Sequence, residues 1–143
     1  MTRAPWHPVP VRLVDEAMPA LKDTELRVLL VVLRQTWGWR PDRQAGDGKH
    51  EDHGHKRRDW LSHRQLCRRT GRGSDAVSGA VASLTASCLI VVEDAAGSVL
   101  ATPAERRRCL GRLYFRPGDV WGKVENCRPT PSGKSGNDKR AWL

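Results

Sequence analysis

Apolar residues along the chain fall into three helical stripes and two strand-like runs, separated by stretches with no hydrophobic period. The first stripe is Leu26, Leu29, Leu30, Leu33 and Trp37, at i, i+3, i+4, i+7 and i+11, one face of a helix. Asp23 is placed to cap its start and Gly38 to end it. Val28, Val31 and Val32 add apolar character on the other faces, so this helix is expected either at the centre of a core or shared with a partner. Upstream, Pro5, Pro8, Pro10 and Pro19 predict an extended arm over residues 1–21, with one short turn at Val14–Met18.

Residues 40–58 have no hydrophobic period and predict a mobile surface loop, followed by a short strand at Asp59–Leu61. Ser62-His63-Arg64-Gln65 reads as a capping box, in which Ser62 accepts from the N3 amide while Gln65 reaches back. The helix it opens turns Leu66 and Cys67 inward and stops at Thr70-Gly71. A second start follows at Gly73-Ser74-Asp75, behind which Val77, Ala80, Val81, Leu84 and Cys88 keep helical spacing. Two helices separated by a tight glycine turn form a helix-turn-helix.

Behind it, Leu89–Glu93 and Ser98–Ala101 flank a turn containing Asp94 and Gly97, the pattern of a β-hairpin. A hairpin in that place is the wing of a winged helix. Thr102-Pro103-Ala104-Glu105 is a second capping box with proline at N1, opening a short basic helix that runs through Arg108, Cys109 and Leu110. Leu113–Phe115 reads as a last strand. From Pro117 the composition predicts disorder. The expected fold is mainly α with a small β-hairpin, a winged helix-turn-helix over residues 22–116 between the arm at 1–21 and a basic tail at 117–143.

Charge changes the picture. The 143 residues carry a formal +9, distributed as +2 over residues 1–60, +1 over 61–102 and +6 over 103–143. A localised basic excess points to a polyanion, and nucleic acid fits better than membrane because no amphipathic anchor accompanies it. No apolar run approaches the roughly 18 residues needed to span a bilayer, and no secretory signal is recognisable, so a soluble cytoplasmic protein is expected.

Cys67, Cys88, Cys109 and Cys127 form no C-x-x-C pair; the first three read as small apolar residues on buried faces, without disulfides. His50, His53 and His55, with Glu51 and Asp52, match neither a helical histidine pair nor a zinc finger, so no metal or other cofactor is expected. Trp37, Trp39 and Trp60 are expected to pack where the first helix meets the sheet. Trp6, Trp121 and Trp142, in segments of low order, are candidate anchors for a protein partner. No phosphate-binding loop, nucleophile elbow or carboxylate pair on a shared face is present, and no enzymatic activity is expected.

Val9-Pro10, Met18-Pro19-Ala20-Leu21, Glu25-Leu26, Leu33-Arg34-Gln35-Thr36-Trp37-Gly38-Trp39, Asp59-Trp60-Leu61-Ser62, Gln65-Leu66, Thr70-Gly71, Val77, Ala80, Leu84 and Leu89-Ile90 follow one another in order. This resembles the N-terminal winged-helix domain of phage replication initiator proteins of the lambda O type and of related plasmid initiators, over about residues 9–102. The resemblance implies binding of double-stranded DNA, with the second helix of the pair in the major groove, in DNA replication of a phage or mobile element. The chain departs from that family on the second helix, where Ser74, Asp75, Ala76, Ser78, Gly79, Ala82 and Ser83 stand in place of Arg and Lys. Cys88 holds a position where glycine usually ends the helix.

The DNA contacts are therefore expected around that helix. Arg64, Arg68, Arg69 and Arg72 are the candidate phosphate contacts on the preceding helix and turn, and Arg106, Arg107 and Arg108 beyond the wing. Ser74, Asp75 and Ser78 are the candidate base-facing residues, with Asp75 able to accept from a cytosine amino group. A homodimer through the helix around Leu26–Trp37 is the accompanying expectation. The alternative is a winged-helix interaction subunit of a nucleoprotein complex, whose neutral second helix docks on protein.

Overall fold

The computed structural model describes residues 9–37 and 56–122. Helix α1 (Asp23–Thr36) is the centre of the molecule, touching two later helices and the sheet. Its buried residues are Glu25, Val28, Leu29, Val32, Leu33 and Thr36, while Leu26, Leu30 and Trp37 are only half-buried. The buried face is thus rotated toward the valines relative to the leucine stripe, because neighbours on several sides occupy the helix at once. Every exposed large hydrophobic among the described residues lies off α1, so a second copy finds no exposed large apolar side chain there. The residue before α1 that adopts the cap conformation is Lys22, not Asp23, and it makes no side-chain cap bond. Asp23 is one position inside the helix and its carboxylate is drawn to Arg27 and Arg72 instead. Gly38 lies outside the described residues.

The expected extended arm is, from Val11, helical. A turn of π-helix at Leu13–Ala17 and a 3-10 turn at Met18–Ala20 lead into α1, and Leu13 is buried in the core. Pro10 and Pro19 permit this because one precedes the turns and the other sits near the start of its own 3-10 turn.

Helix α2 (His63–Thr70) opens on the expected capping box. The Gln65 amide donates to Ser62 Oγ at 3.1 Å, and the Ser62 amide to Gln65 Oε1 at 2.9 Å. Gly71, at φ 69°, ends it in the left-handed conformation that a side chain would strain. Helix α3 (Ser74–Ala86) begins three residues later and buries Val77, Ala80, Val81 and Leu84 against α1 and α2.

The short strand β1 (Asp59–Trp60), β2 (Ile90–Glu93) and β3 (Tyr114–Pro117) form an antiparallel sheet in the order β1-β3-β2. The expected hairpin forms over a short length: Asp94 N donates to Ser98 O, Leu100 N donates to Val92 O, and Glu93 bridges Val99. The other edge of β2 pairs along its whole length with Tyr114–Pro117, a pairing the sequence did not indicate. The short helix α4 (Pro103–Arg108) is inserted between the two strands. Phe115 alternates inward on β3 and supplies a core contact that the Ser98–Ala101 run, with Val99 54% exposed, does not.

Order continues past Pro117. Gly118 N–H donates to Leu89 O, a 3-10 turn follows at Asp119–Trp121, and the Trp121 ring packs on the core with Nε1 donating to Leu89 O at 2.9 Å. Trp121 is therefore a structural residue rather than a loose anchor; Trp6, Trp39 and Trp142 lie outside the described residues. Trp37 is half-buried against the core as expected, whereas Trp60 is more open. Of the cysteines, Cys67 and Cys109 are half-buried, but Cys88 is exposed, a correction that follows from its backbone: at φ 60° it turns the chain out of α3 into β2.

Candidate nucleic-acid interface

Capping and charge decide which arginines face solvent. Arg64 and Arg68, on exposed turns of α2, form no hydrogen bond or ion pair among the described residues. Arg69 is held in place by a relay: Asp59 Oδ2 accepts from Gln35 Nε2 at 2.9 Å, and Gln35 Oε1 accepts from Arg69 Nη1 at 2.7 Å. Burial, together with the positive charges of Arg34 and Arg68, holds Arg69 below its ordinary pKa. These cations therefore sit close enough to repel one another, with a neutral amide as the recorded partner of Arg69. Gln35 was not singled out as a site residue in the sequence, although it stands within the Leu33–Trp39 stretch that carries part of the resemblance.

Arg72 is placed differently. It pairs with Asp23, which also accepts from Arg27 Nε at 2.9 Å, while Arg27 Nη1 donates to Thr70 O at 2.9 Å. The hydrogen bond from Arg72 is the main reason the Asp23 carboxyl lies below its usual range. Arg72 thus ties the turn to the start of α1 and is not a free cation.

The exposed side of α3 presents Ser74, Asp75, Ala76, Ser78, Gly79, Ser83 and Ala86, all small and none basic. Ser74 Oγ lies 2.9 Å from His63 Nε2, joining the first turns of α2 and α3. Asp75 and Ser78 project to solvent as expected.

Of the later triplet, Arg106 is half-buried and bonded: its Nη1 donates to Leu100 O at 3.0 Å and reaches Thr85 Oγ1 at 3.5 Å. Burial holds its pKa below the ordinary value, with Arg107 adding to the effect and Glu105 opposing it. It fastens α4 to the end of α3. Arg107 and Arg108 are exposed and without a hydrogen bond or ion pair among the described residues. Arg112, not singled out in the sequence, lies with its guanidinium 4.4 Å from the centroid of a Trp60 ring. That pair belongs to the lining of an open groove of about 470 Å³, with Ser62, His63 and the Cys109–Leu113 connection.

Two further arginines are structural. Glu93 is 2% exposed and accepts from Arg116 Nε at 2.6 Å, with Arg58 Nη1 at 3.4 Å. Burial would lower the Arg116 pKa, but Glu93 and Asp119 outweigh it and raise it. Arg58 also donates to Asp94 O at 2.8 Å and lies over the Tyr114 ring.

Comparison with protein-family models, curated proteins and solved structures returns no match for this chain. Its functional reading rests on the site itself. No helix among the described residues is long and apolar enough to cross a membrane. The histidines His50, His53 and His55 lie outside the described residues.

Proposed function

We propose that the chain is a winged-helix protein that binds double-stranded DNA, chiefly through phosphate contacts, of the replication-initiator or regulator type. Support for the winged helix comes from the chain order α1, β1, α2, α3, β2, β3 and from the central place of β3 between β1 and β2. In that arrangement α2 and α3 are the helix-turn-helix, and the connection carrying α4 takes the place of the wing.

The observation that carries the DNA reading is the gathering of Arg64, Arg68 and Arg69 at the surface of α2 with no acidic partner among the described residues, while Arg58, Arg72 and Arg116 are neutralised by carboxylates. Clustered cations left without counter-charge raise the local potential and are best satisfied by an incoming polyanion. The small residues of α3 allow its backbone to approach a groove closely, with Ser74, Asp75 and Ser78 as hydrogen-bonding groups.

Fluorescence anisotropy on a duplex of about 30 base pairs, at low salt and near physiological salt, tests this reading. Binding that weakens steeply with salt and is lost in the Arg64→Ala, Arg68→Ala, Arg69→Ala triple variant is the expected result. Absence of binding at low salt sinks it. The neutral face of α3 then favours the other reading, docking on a protein of a nucleoprotein complex.

A further inference from the structure

Leu110 is the most exposed large apolar residue in the described chain, at 103% of its reference exposure. No described residue covers any part of it, yet its connection is fastened at both ends. Arg106 ties α4 to Leu100 O and Thr85 Oγ1 on one side of it. On the other, Arg112 stacks on Trp60, and Leu61 N donates to Leu113 O at 3.2 Å. A leucine on a loose tail has no significance, since single surface leucines are common. A leucine held out on an anchored tip does.

The charge around the tip is of one sign. From Arg106 to Leu113 the chain reads Arg-Arg-Arg-Cys-Leu-Gly-Arg-Leu, four arginines and no acid. Of the exposed large apolar side chains nearby, Trp60 lies under the Arg112 guanidinium and Val99 belongs to the stretch bridged to Glu93, which leaves Leu110 as the single apolar group on the tip itself. That combination selects the occupant. An acidic peptide or an anionic lipid surface satisfies the arginines but needs a stripe of apolar anchors, because one leucine buries too little area for a lasting contact. A base step of DNA needs one wedge, and proteins that bend DNA insert single aliphatic side chains of this kind between arginine contacts in the minor groove.

Position agrees with charge. Leu110 lines the same groove as Ser62 and His63 at the start of α2, and His63 bonds Ser74 at the start of α3. Arg64 follows His63 in sequence, so the arginine-bearing helix and the leucine tip border the same groove.

We propose that Leu110 is a wedge that enters a base step of the bound duplex from the minor groove and kinks it, with Arg107, Arg108 and Arg112 holding the flanking backbone. This rests on the DNA-binding reading and adds to it a deformation that phosphate contacts alone do not require.

The test uses the full chain and a duplex of about 20 base pairs carrying a donor and an acceptor dye at its two ends, a length short enough to resist bending on its own. Saturating protein raises energy transfer as the ends approach. Leu110→Ala, which removes a side chain with no internal contact, binds within about threefold of the parent by anisotropy but loses the rise in transfer. Leu110→Met keeps it. Parent protein that binds with no rise, or an alanine variant that bends the duplex as the parent does, overturns the wedge while leaving the DNA reading intact. No anisotropy change at low salt overturns both. Sedimentation with anionic vesicles in place of duplex binding reassigns Leu110 to a lipid surface and overturns the wedge.

Discussion

Cys88 holds a backbone conformation that favours glycine, at φ 60° on the surface after α3. A non-glycine residue there costs about 1 kcal/mol, so Cys88→Gly is expected to raise stability by that order, read as a higher urea midpoint with unchanged m. Its neighbour in space obeys the opposite rule. A Cβ at Gly118 would stand 1.9 Å from Cys88 O, and that oxygen belongs to backbone that cannot swing aside. Gly118→Ala is expected to destabilise by about 3 kcal/mol, by forcing the end of β3 away from the α3–β2 turn. The sequence showed the first of these positions, because cysteine stood where the resemblance leads one to expect glycine. It gave no sign of the second, which depends on two turns meeting. Glu93 was equally hidden: it reads as the polar end of a strand, yet it is the buried acceptor for Arg116 and Arg58. Glu93→Ala leaves a guanidinium whose side chain is 14% exposed with only the exposed Asp119 as counter-charge, and a loss of about 2 kcal/mol on urea unfolding is expected.

Among the elements, α1, α2, α3 and β2 were legible because local chemistry fixes them: a stripe, a capping box, a glycine turn, a β-branched run. What failed was long-range pairing. Ser98–Leu100 follows β2 through a local turn and so was legible, whereas Tyr114–Pro117 joins the other edge of β2 from beyond α4 in the chain, a pairing no local signal announces. The relay Asp59–Gln35–Arg69 is likewise an arrangement between elements, joining β1, α1 and α2. It also sets a pH dependence. Burial pushes the Asp59 carboxyl up, but hydrogen bonds from Lys56, Gln35 and the Trp60 amide outweigh it and hold the pKa below the ordinary value. A folded-state pKa below the unfolded one stabilises fully above the unfolded value, near pH 4, and loses that contribution as pH falls through the folded value. The difference in unfolding free energy between the parent and Asp59→Asn is therefore expected to be constant above about pH 5 and to close below about pH 4. A difference that persists unchanged at lower pH means that the charge on Asp59 contributes nothing to folding.

At the scale of the whole molecule, net charge pointed to a polyanion, but the expectation drawn from it included arginines that the fold itself uses. Seven arginines carried the expectation, and two of them, Arg72 and Arg106, are spent on holding the fold. The sequence cannot separate such roles, since an arginine that meets a carboxylate or a carbonyl looks the same in a string of letters as one that meets water. The remaining five fall in two groups, Arg64, Arg68 and Arg69 on α2, and Arg107 and Arg108 at the end of α4. If one duplex touches both groups, their counterion release adds. Each phosphate contact contributes about 0.9 to the slope of log affinity against log salt. Replacing the α2 group by alanine is then expected to flatten the slope by about 3, and replacing the α4 pair by about 2. All five replacements together should flatten it by about 5, because the groups do not share a partner whose loss would couple them. A slope insensitive to Arg107 and Arg108 would mean that the duplex stops at α2. It would then never reach Leu110, and the kink would have to vanish from the energy-transfer measurement as well. The two experiments therefore constrain each other through geometry: bending without a salt contribution from α4 is the one combination this surface cannot produce.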